Sequence, residues 1–297
     1  MEGYHGSVLL KEVLESLNIR DTWYLDATLG DGGHSIEIIK RGGRVVGIDQ
    51  DPLALERVKN RFEKEHIEQS KYILVRGNFR DIDNLFEQMD IENLRFAGAV
   101  LDLGVSSLQL ETPDRGFSFG KSGPLDMRMD PSLQVRALDL INGLNKGELY
   151  ELFDKLGEEK FAKAISDAVV YARQVKRIET TNELASLVAG VYRRRKIKEK
   201  IHPATRVFQA LRIVVNDELN VLKEGLPRIL GKIEKNGHIL VISFHSLEDR
   251  IVKTTFREWA DHGLGEIVTD KPIVPSEVEV ESNPRSRSAK LRVFKVK

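Results

Sequence analysis

A chain of 297 residues, 41% hydrophobic and 31% charged, is long enough to bury a substantial core in one large domain or two ordinary ones. It has no cysteine, which excludes disulfides, thiolate metal sites and cysteine nucleophiles, and its 46 basic and 46 acidic side chains cancel, which argues against an indiscriminate polyanion binder. The N-terminal stretch carries charges inside its apolar pattern, unlike a secretion signal, and no apolar run approaches the roughly 18 residues of a membrane helix, so a cytoplasmic protein is expected.

In chain order, residues 5–17 have helical apolar spacing, and residues 23–29 read as a strand running into "YLDATLGDGGHS". A helix starts at about residue 35, "RVVGID" (44–49) is a short buried strand, and Pro52 opens an amphipathic helix to about residue 66, with Asp51 as its N-terminal cap. Residues 71–78 form a third strand, 82–88 a short helix and 96–104 a fourth strand, in "FAGAVLDLG". This βαβα order implies a parallel sheet with helices on both faces.

The rhythm breaks from residue 108 to about 203, where no convincing strand occurs and helical patterns fall at 146–156, 160–175 and 181–195. Pro203 suits a first helical turn, and Val207, Leu211, Val214, Val215, Leu219 and Leu222 form one core-facing stripe after it. Beside that stripe Arg206, Gln209 and Asn216 make a polar strip, either a solvated face or a wall for a substrate. "GHILVIS" (237–243) restores the strand pattern, a helix follows over 246–260, and 266–273 and 290–296 are two last strands. The expected organisation is an α/β, Rossmann-like core of residues 1–110 and 206–297, interrupted by an all-helical domain at 111–205.

A dinucleotide site would want G-x-G-x-x-G after the first strand. Gly30 and Gly32 fit, but Ser35 stands where the third glycine belongs, and Asp26 lies four residues ahead of Gly30. Pyrophosphate gains nothing from a nearby carboxylate, whereas the ammonium and sulfonium of S-adenosylmethionine do, so the spacing favours that cofactor over NAD. Asp49 ends the second strand 19 residues beyond Gly30, about where an acid reaches ribose hydroxyls. Phe79, just after the third strand, is placed either to flank an adenine or to fill the core. Asp102 ends the buried fourth strand, at the sheet edge where ligands bind.

Charge is distributed unevenly. "YRRRKIKEK" (192–200) is a dense basic run, and residues 283–297 hold six basic side chains and no acid, just after the acidic Glu277, Glu279 and Glu281. Both runs are solvated faces in the plainest reading, but two of them on a balanced chain point to local anion recognition, with nucleic acid foremost. Arg193, Arg194, Arg195 and Lys196, with Arg285, Arg287 and Lys290, are the natural phosphate contacts.

The blocks "GDGGHS", "GIDQDP", "LDLGVSS", "GFSF", "GPLDMRMD", "HPATRVFQALRIVVNDEL", "SFHSLEDRIVK" and "NPRSRSAKLR" together resemble the bacterial small-subunit ribosomal RNA cytidine N4-methyltransferase family, also called MraW, nearly end to end. Ser7 and Leu108 depart from it where proline is common. The resemblance implies a class I S-adenosylmethionine-dependent methyltransferase sheet, and a cytidine in the decoding region of 16S ribosomal RNA as acceptor, expected within the small ribosomal subunit. It places cofactor contacts on Gly32, Gly33, His34, Asp49, Phe79, Asp102 and Gln109, and no metal. Without it, His34 reads as a surface residue at a helix start and Gln109 passes unnoticed.

The implied reaction is displacement at the sulfonium methyl by the exocyclic amine of cytosine. That amine is a poor nucleophile, because its lone pair is delocalised into the ring, so it must be desolvated, aimed and polarised by an oxygen that accepts its N–H. Methylation at carbon 5 would normally need a thiolate, which this chain lacks. Asp102 is placed to position the cofactor, to accept from N4, or both, with Ser106 and Ser107 as alternative acceptors. His245, past the fifth strand, is a second base-facing candidate; in the plainer reading it only precedes a helix capped by Ser246. The rivals are an assembly factor that only senses the cofactor, an NAD-dependent dehydrogenase, and a small-molecule methyltransferase.

Overall fold

Strands that are apolar on both faces are buried only by a sheet covered on both sides. β1 (Trp23–Asp26), β2 (Arg44–Asp49), β3 (Tyr72–Arg76), β4 (Phe96–Asp102) and β5 (Ile233–Ser243) run parallel, and β7 (Lys290–Val296) runs antiparallel to β5 and to β6 (Gly265–Ile267). The order across the sheet is β3-β2-β1-β4-β5-β7-β6, the Rossmann-like arrangement expected. The computed structural model describes residues 6–199 and 201–297, so the first residue of the expected 5–17 helix and Lys200 of the basic run lie outside the described residues.

Alternate side chains of each strand feed two apolar layers. On one face Tyr24, Leu240 and Ile242 pack with Val13 and Leu17 of α1 (Leu10–Leu17), Ile36 and Ile38 of α2 (Gly33–Lys40), and Val58 and Phe62 of α3 (Pro52–Lys64). On the other, Leu25, Ile239 and Val241 pack with Phe86 of α4 (Ile82–Gln88), which joins side chains from two later helices described below. The expected strand at 266–273 shortens to three residues, with Ile273 left as an isolated bridge to Leu291. Pro272 and Pro275 flank that bridge, and a proline has no N–H to extend a ladder.

The chain divides into two compact units, Met1–Gly104 with Leu219–Lys297, and Val105–Glu218. The second is helical: α5 (Ser107–Glu111), α6 (Ala137–Gly143), α7 (Lys146–Lys155), α8 (Ala162–Val175), α9 (Thr181–Arg194) and α10 (Thr205–Val215) surround a core that includes Phe153, Ile165, Val188 and Leu211. The long stripe expected after Pro203 is two helices. α10 ends at Asn216, Asp217 turns the chain with φ of 52°, and α11 (Glu218–Leu230) begins. Val207, Leu211 and Val215 therefore join the helical core, Leu222 joins the sheet layer, and Val214 is 38% exposed. The helical unit accordingly extends beyond the expected 111–205 at both ends.

α11, with Val221, Leu226 and Ile229, completes the second layer of the sheet unit together with Val252, Phe256 and Trp259 of α12 (Ser246–Asp261). The acidic run after Pro275 is a short helix, α13 (Glu277–Ser282), capped by Ser276, whose hydroxyl accepts from Glu279 N. Glu279 in turn accepts from the backbone N–H of Leu9, tying the two ends of the unit together.

In the helical unit the "GPLDMRMD" block is braced from within. Arg128 grips Asp126 through Nε and Nη2 at 2.8 and 2.7 Å, and Arg115 donates to the carbonyls of Arg128 and Met129. Asn216, only 6% exposed, accepts from Met129 N and donates to the carbonyls of Met127 and Arg212. Gln209 donates to the carbonyl of Leu156. Two members of the polar strip are thus internal struts. Removing the Asn216 amide strands buried partners, so Asn216→Ala should lower the stability of the helical unit by about 1–3 kcal/mol. Urea unfolding of the full chain, with limited proteolysis to identify the unit that opens, measures this.

Candidate active site at the carboxyl edge of the sheet

The chain leaves β1 toward β2 and β3 on one side and continues through β4 and β5 on the other, so a crevice opens where the order reverses, at the carboxyl ends of β1 and β4. Three carboxylates end three adjacent strands there: Asp49 on β2, Asp26 on β1 and Asp102 on β4. Asp26 is paired with Gly47 and Val100, so Asp49 and Asp102 each stand two residues further along the edge. An acidic rim of this kind repels anions and stabilises a ligand with positive charge.

Asp49 holds the glycine loop. Its carboxylate accepts from the backbone N–H of Gly30 and of Asp51, both at 2.8 Å. Burial pushes its pKa up to about 6, against the lowering effect of those two N–H donors. Asp26 is 2% exposed and accepts from the Ser35 hydroxyl at 2.6 Å and from Thr28 N at 3.4 Å. Burial raises its pKa as well, opposed chiefly by the Ser35 hydrogen bond. Ser35, which breaks the dinucleotide pattern, is therefore the partner of the acid that also departs from it.

Gly32 sits between these acids in the left-handed region, with φ of 70°. A Cβ there would lie 3.1 Å from Val58 and 3.3 Å from Phe62, so the position favours glycine on both conformational and packing grounds. The chain then enters α2 at Gly33, which directs the first N–H groups of that helix along the rim. His34 lies in this first turn and is 5% exposed, not on the surface as its position at a helix start suggests. The apolar Ile36 and Ile38 fix the face that α2 buries, and His34 is carried inward with it.

His34 Nε2 is 3.7 Å from Asp102 Oδ2, too far for a hydrogen bond. Among the described residues, neither ring nitrogen of His34, nor the buried Oδ1 of Asp102, has a hydrogen-bond partner. Buried polar atoms of this kind are costly unless something else completes them. The Asp102 side chain is 27% exposed, and its own N–H donates to the Thr28 hydroxyl at 2.6 Å, which fixes the end of β4 against β1. A pair of orphaned polar groups on an acidic rim, beside a glycine turn, fits a nucleoside with a cationic tail. Gly32, Gly33 and His34 would meet its body, Asp49 its ribose and Asp102 its positive end.

Phe79 is 9% exposed and belongs to the apolar layer under α11, where a Cβ at Gly225 would come within 2.4 Å of the ring. Gln109 is buried in the helical unit as the third residue of α5. Its side chain accepts from Ser106 N while the Ser106 hydroxyl accepts from Gln109 N, a closed capping box. Ser106, offered as an acceptor for the base, is occupied by this cap.

His245 corrects the expected helix start. It is itself the N-terminal residue that caps α12: Nδ1 accepts from Glu248 N, and the Glu248 carboxylate reaches back to His245 N. Ser246 is the first helical residue, so the cap falls one position earlier than expected. The ring remains at the carboxyl edge just beyond β5, with Nε2 3.2 Å from Glu248 Oε1.

The basic residues separate into engaged and projecting groups. Lys290 and Arg292 both pair with Asp249, at 3.2 and 2.7 Å, and Lys295 pairs with Glu266, so at least half of the basic tail is used within the fold. Arg285 and Arg287 are exposed on a 3₁₀ turn at Pro284–Ser288. Arg193, Arg194, Arg195 and Lys196 are exposed at the end of α9, where positive charge also complements the helix dipole. Arg195 donates to the carbonyl of Val191 and lies over the Phe161 ring at 5.2 Å.

A family model described as the MraW methylase family matches residues 2–297. The chain is 48% identical over 294 residues to the Ribosomal RNA small subunit methyltransferase H of Persephonella marina, covering 98% of each chain. It is 44% identical over 292 residues to the protein of that name from Sulfurihydrogenibium azorense, covering 97% of this chain and 98% of the relative. The counterpart from Halothermothrix orenii is 44% identical over 308 residues, with 97% of each chain covered.

The raised pKa of Asp49 has a direct consequence. Only the ionised carboxylate accepts from ribose hydroxyls while keeping both backbone donors, and below about pH 6 a proton competes for it. Affinity for S-adenosylmethionine should therefore be full above that pH and fall below it, approaching about tenfold per pH unit. Titration calorimetry between about pH 5 and pH 7.5 should show this slope, and Asp49→Asn should bind weakly with the slope lost.

Proposed function

Because the chain belongs to the MraW methylase family, we propose that it transfers a methyl group from S-adenosylmethionine to the exocyclic N4 of a cytidine in the decoding region of 16S ribosomal RNA. The observation that carries this reading is the acidic rim with its orphaned polar atoms: it favours a cationic nucleoside cofactor and leaves an acceptor oxygen beside it. S-adenosylmethionine supplies an electrophilic methyl group. What remains for the protein is to hold the two reactants in line and to make the amine a better nucleophile.

Asp49 orients the ribose end, and the turn at Gly32 brings backbone N–H groups close. Phe79 and Gln109 are assigned to the cofactor on the family resemblance alone. Asp102 acts at the reacting end: its carboxylate, with the side chain 27% exposed, accepts an N–H of the cytosine amine and polarises it. The methylated amine then releases a proton, and the same carboxylate takes it in this reading. His245 is proposed as a second base-facing group, just beyond the end of β5, the strand neighbouring β4. A cytosine inside a helix cannot reach such an edge, so the target must be unstacked. The exposed cations at 193–196 and at Arg285 and Arg287 hold the RNA backbone in this reading, while Lys290, tied to Asp249, contributes less. No helix of the described residues is long and apolar enough to cross a membrane, and the proposed substrate places the protein in the cytoplasm.

The direct test is transfer of a labelled methyl group to small subunits from cells lacking this protein, with mass mapping of the modified nucleotide. Asp102→Ala should lower kcat by about two orders of magnitude or more with little change in thermal stability. For His245, Asn is the informative replacement because it caps a helix well. A fall in transfer by His245→Asn at unchanged Tm is expected, and unchanged transfer would reduce His245 to its capping role.

A further inference from the structure

α8 and α9 of the helical unit pack against each other, and residues of both line an open groove of about 610 Å³. Ala164, Ala168 and Ala172 from α8 and Gly190 from α9 form its floor. Tyr171 stands on its wall and is 73% exposed, and Val175, one turn further, is 80% exposed. At the other end the groove is lined by Arg194 and Arg195, which begin the basic run. The groove's one acid, Asp167, is paired with Lys146.

This combination is unusual for a solvated helix face. A tyrosine three-quarters exposed stabilises the fold little, and its ring is available for stacking. Small side chains keep the floor low enough for a flat ring to lie down, and the guanidinium groups stand where a phosphate backbone would pass. A groove with an aromatic platform and a run of cations binds unpaired nucleic acid, since each base stacks while its phosphate is neutralised. Charge complementarity also argues against an acidic lining that would suit a basic partner.

We propose that the α8–α9 groove is a second RNA site, which takes a single-stranded stretch of the substrate by stacking a base on Tyr171 and seating the neighbouring phosphates on Arg194 and Arg195. This deepens the functional reading above and rests on it for the identity of the RNA. The site contributes affinity and selection of unpaired RNA, not chemistry.

The test uses the full chain with S-adenosylhomocysteine and fluorescein-labelled oligocytidylate, against a duplex RNA of equal length. Tyr171→Ala should weaken single-strand binding roughly 5- to 100-fold and leave the duplex unaffected, while Tyr171→Phe retains binding. Arg194→Ala should reduce the dependence on salt by about one phosphate contact. Unchanged single-strand binding by Tyr171→Ala, or an equal loss on the duplex, overturns the proposal. So does a photocrosslinking residue at position 171 that captures protein and not RNA in assembled small subunits. Failure of the wild-type chain to transfer methyl groups to small subunits would sink the functional reading instead, and it is read in a separate assay.

Discussion

The site depends on a carboxylate that is bound twice by backbone. Asp49 accepts from Gly30 N and Asp51 N, and in doing so it locks the glycine loop after β1 to the end of β2. Without that clamp the loop would have no fixed path, Gly32 would not be placed against Val58, and α2 would not start where His34 turns inward. The clamp keeps a partly buried charge near two other acids. That cost is tolerable because a cationic ligand is stabilised by the same arrangement that destabilises the empty rim.

Asp26 illustrates how one residue serves recognition indirectly. Its position ahead of the glycines points to a positively charged ligand, yet both of its oxygens are used inside the loop, by Ser35 and Thr28. Its charge still acts on the crevice, but its hydrogen bonds build the turn. The acceptor proposed for the base is the half-buried Asp102, one strand over, held in place through its own N–H by Thr28. Structure and electrostatics are thereby divided between neighbouring acids at one sheet edge.

The helical unit is organised by internal bracing. Asn216, Arg115 and Arg128 hold an irregular segment by hydrogen bonds to its carbonyl and amide groups, which a segment without helix or strand would otherwise leave unpaired. Residues that look like a polar strip facing solvent or substrate are consumed in this way. Tyr171, Val175 and the cations at the end of α9 project from the unit.

The parallel sheet, the glycine turn, the acids that end β1, β2 and β4, and the family were legible in the residues, because each is a local pattern: apolar runs, fixed spacings, long shared blocks. The absence of cysteine likewise bounded the chemistry. Only the tertiary structure decided that His34 is buried and unpartnered, that His245 and not Ser246 caps α12, and that the stripe after Pro203 breaks at Asn216 and Asp217. It also decided that Lys290 and Arg292 are spent on Asp249, while Arg194 lines a groove beside an exposed Tyr171. The physical reason is common to all of these. Whether a polar side chain is free or satisfied depends on partners tens of residues away, and no spacing along the chain records which partners the fold brings within about 3 Å.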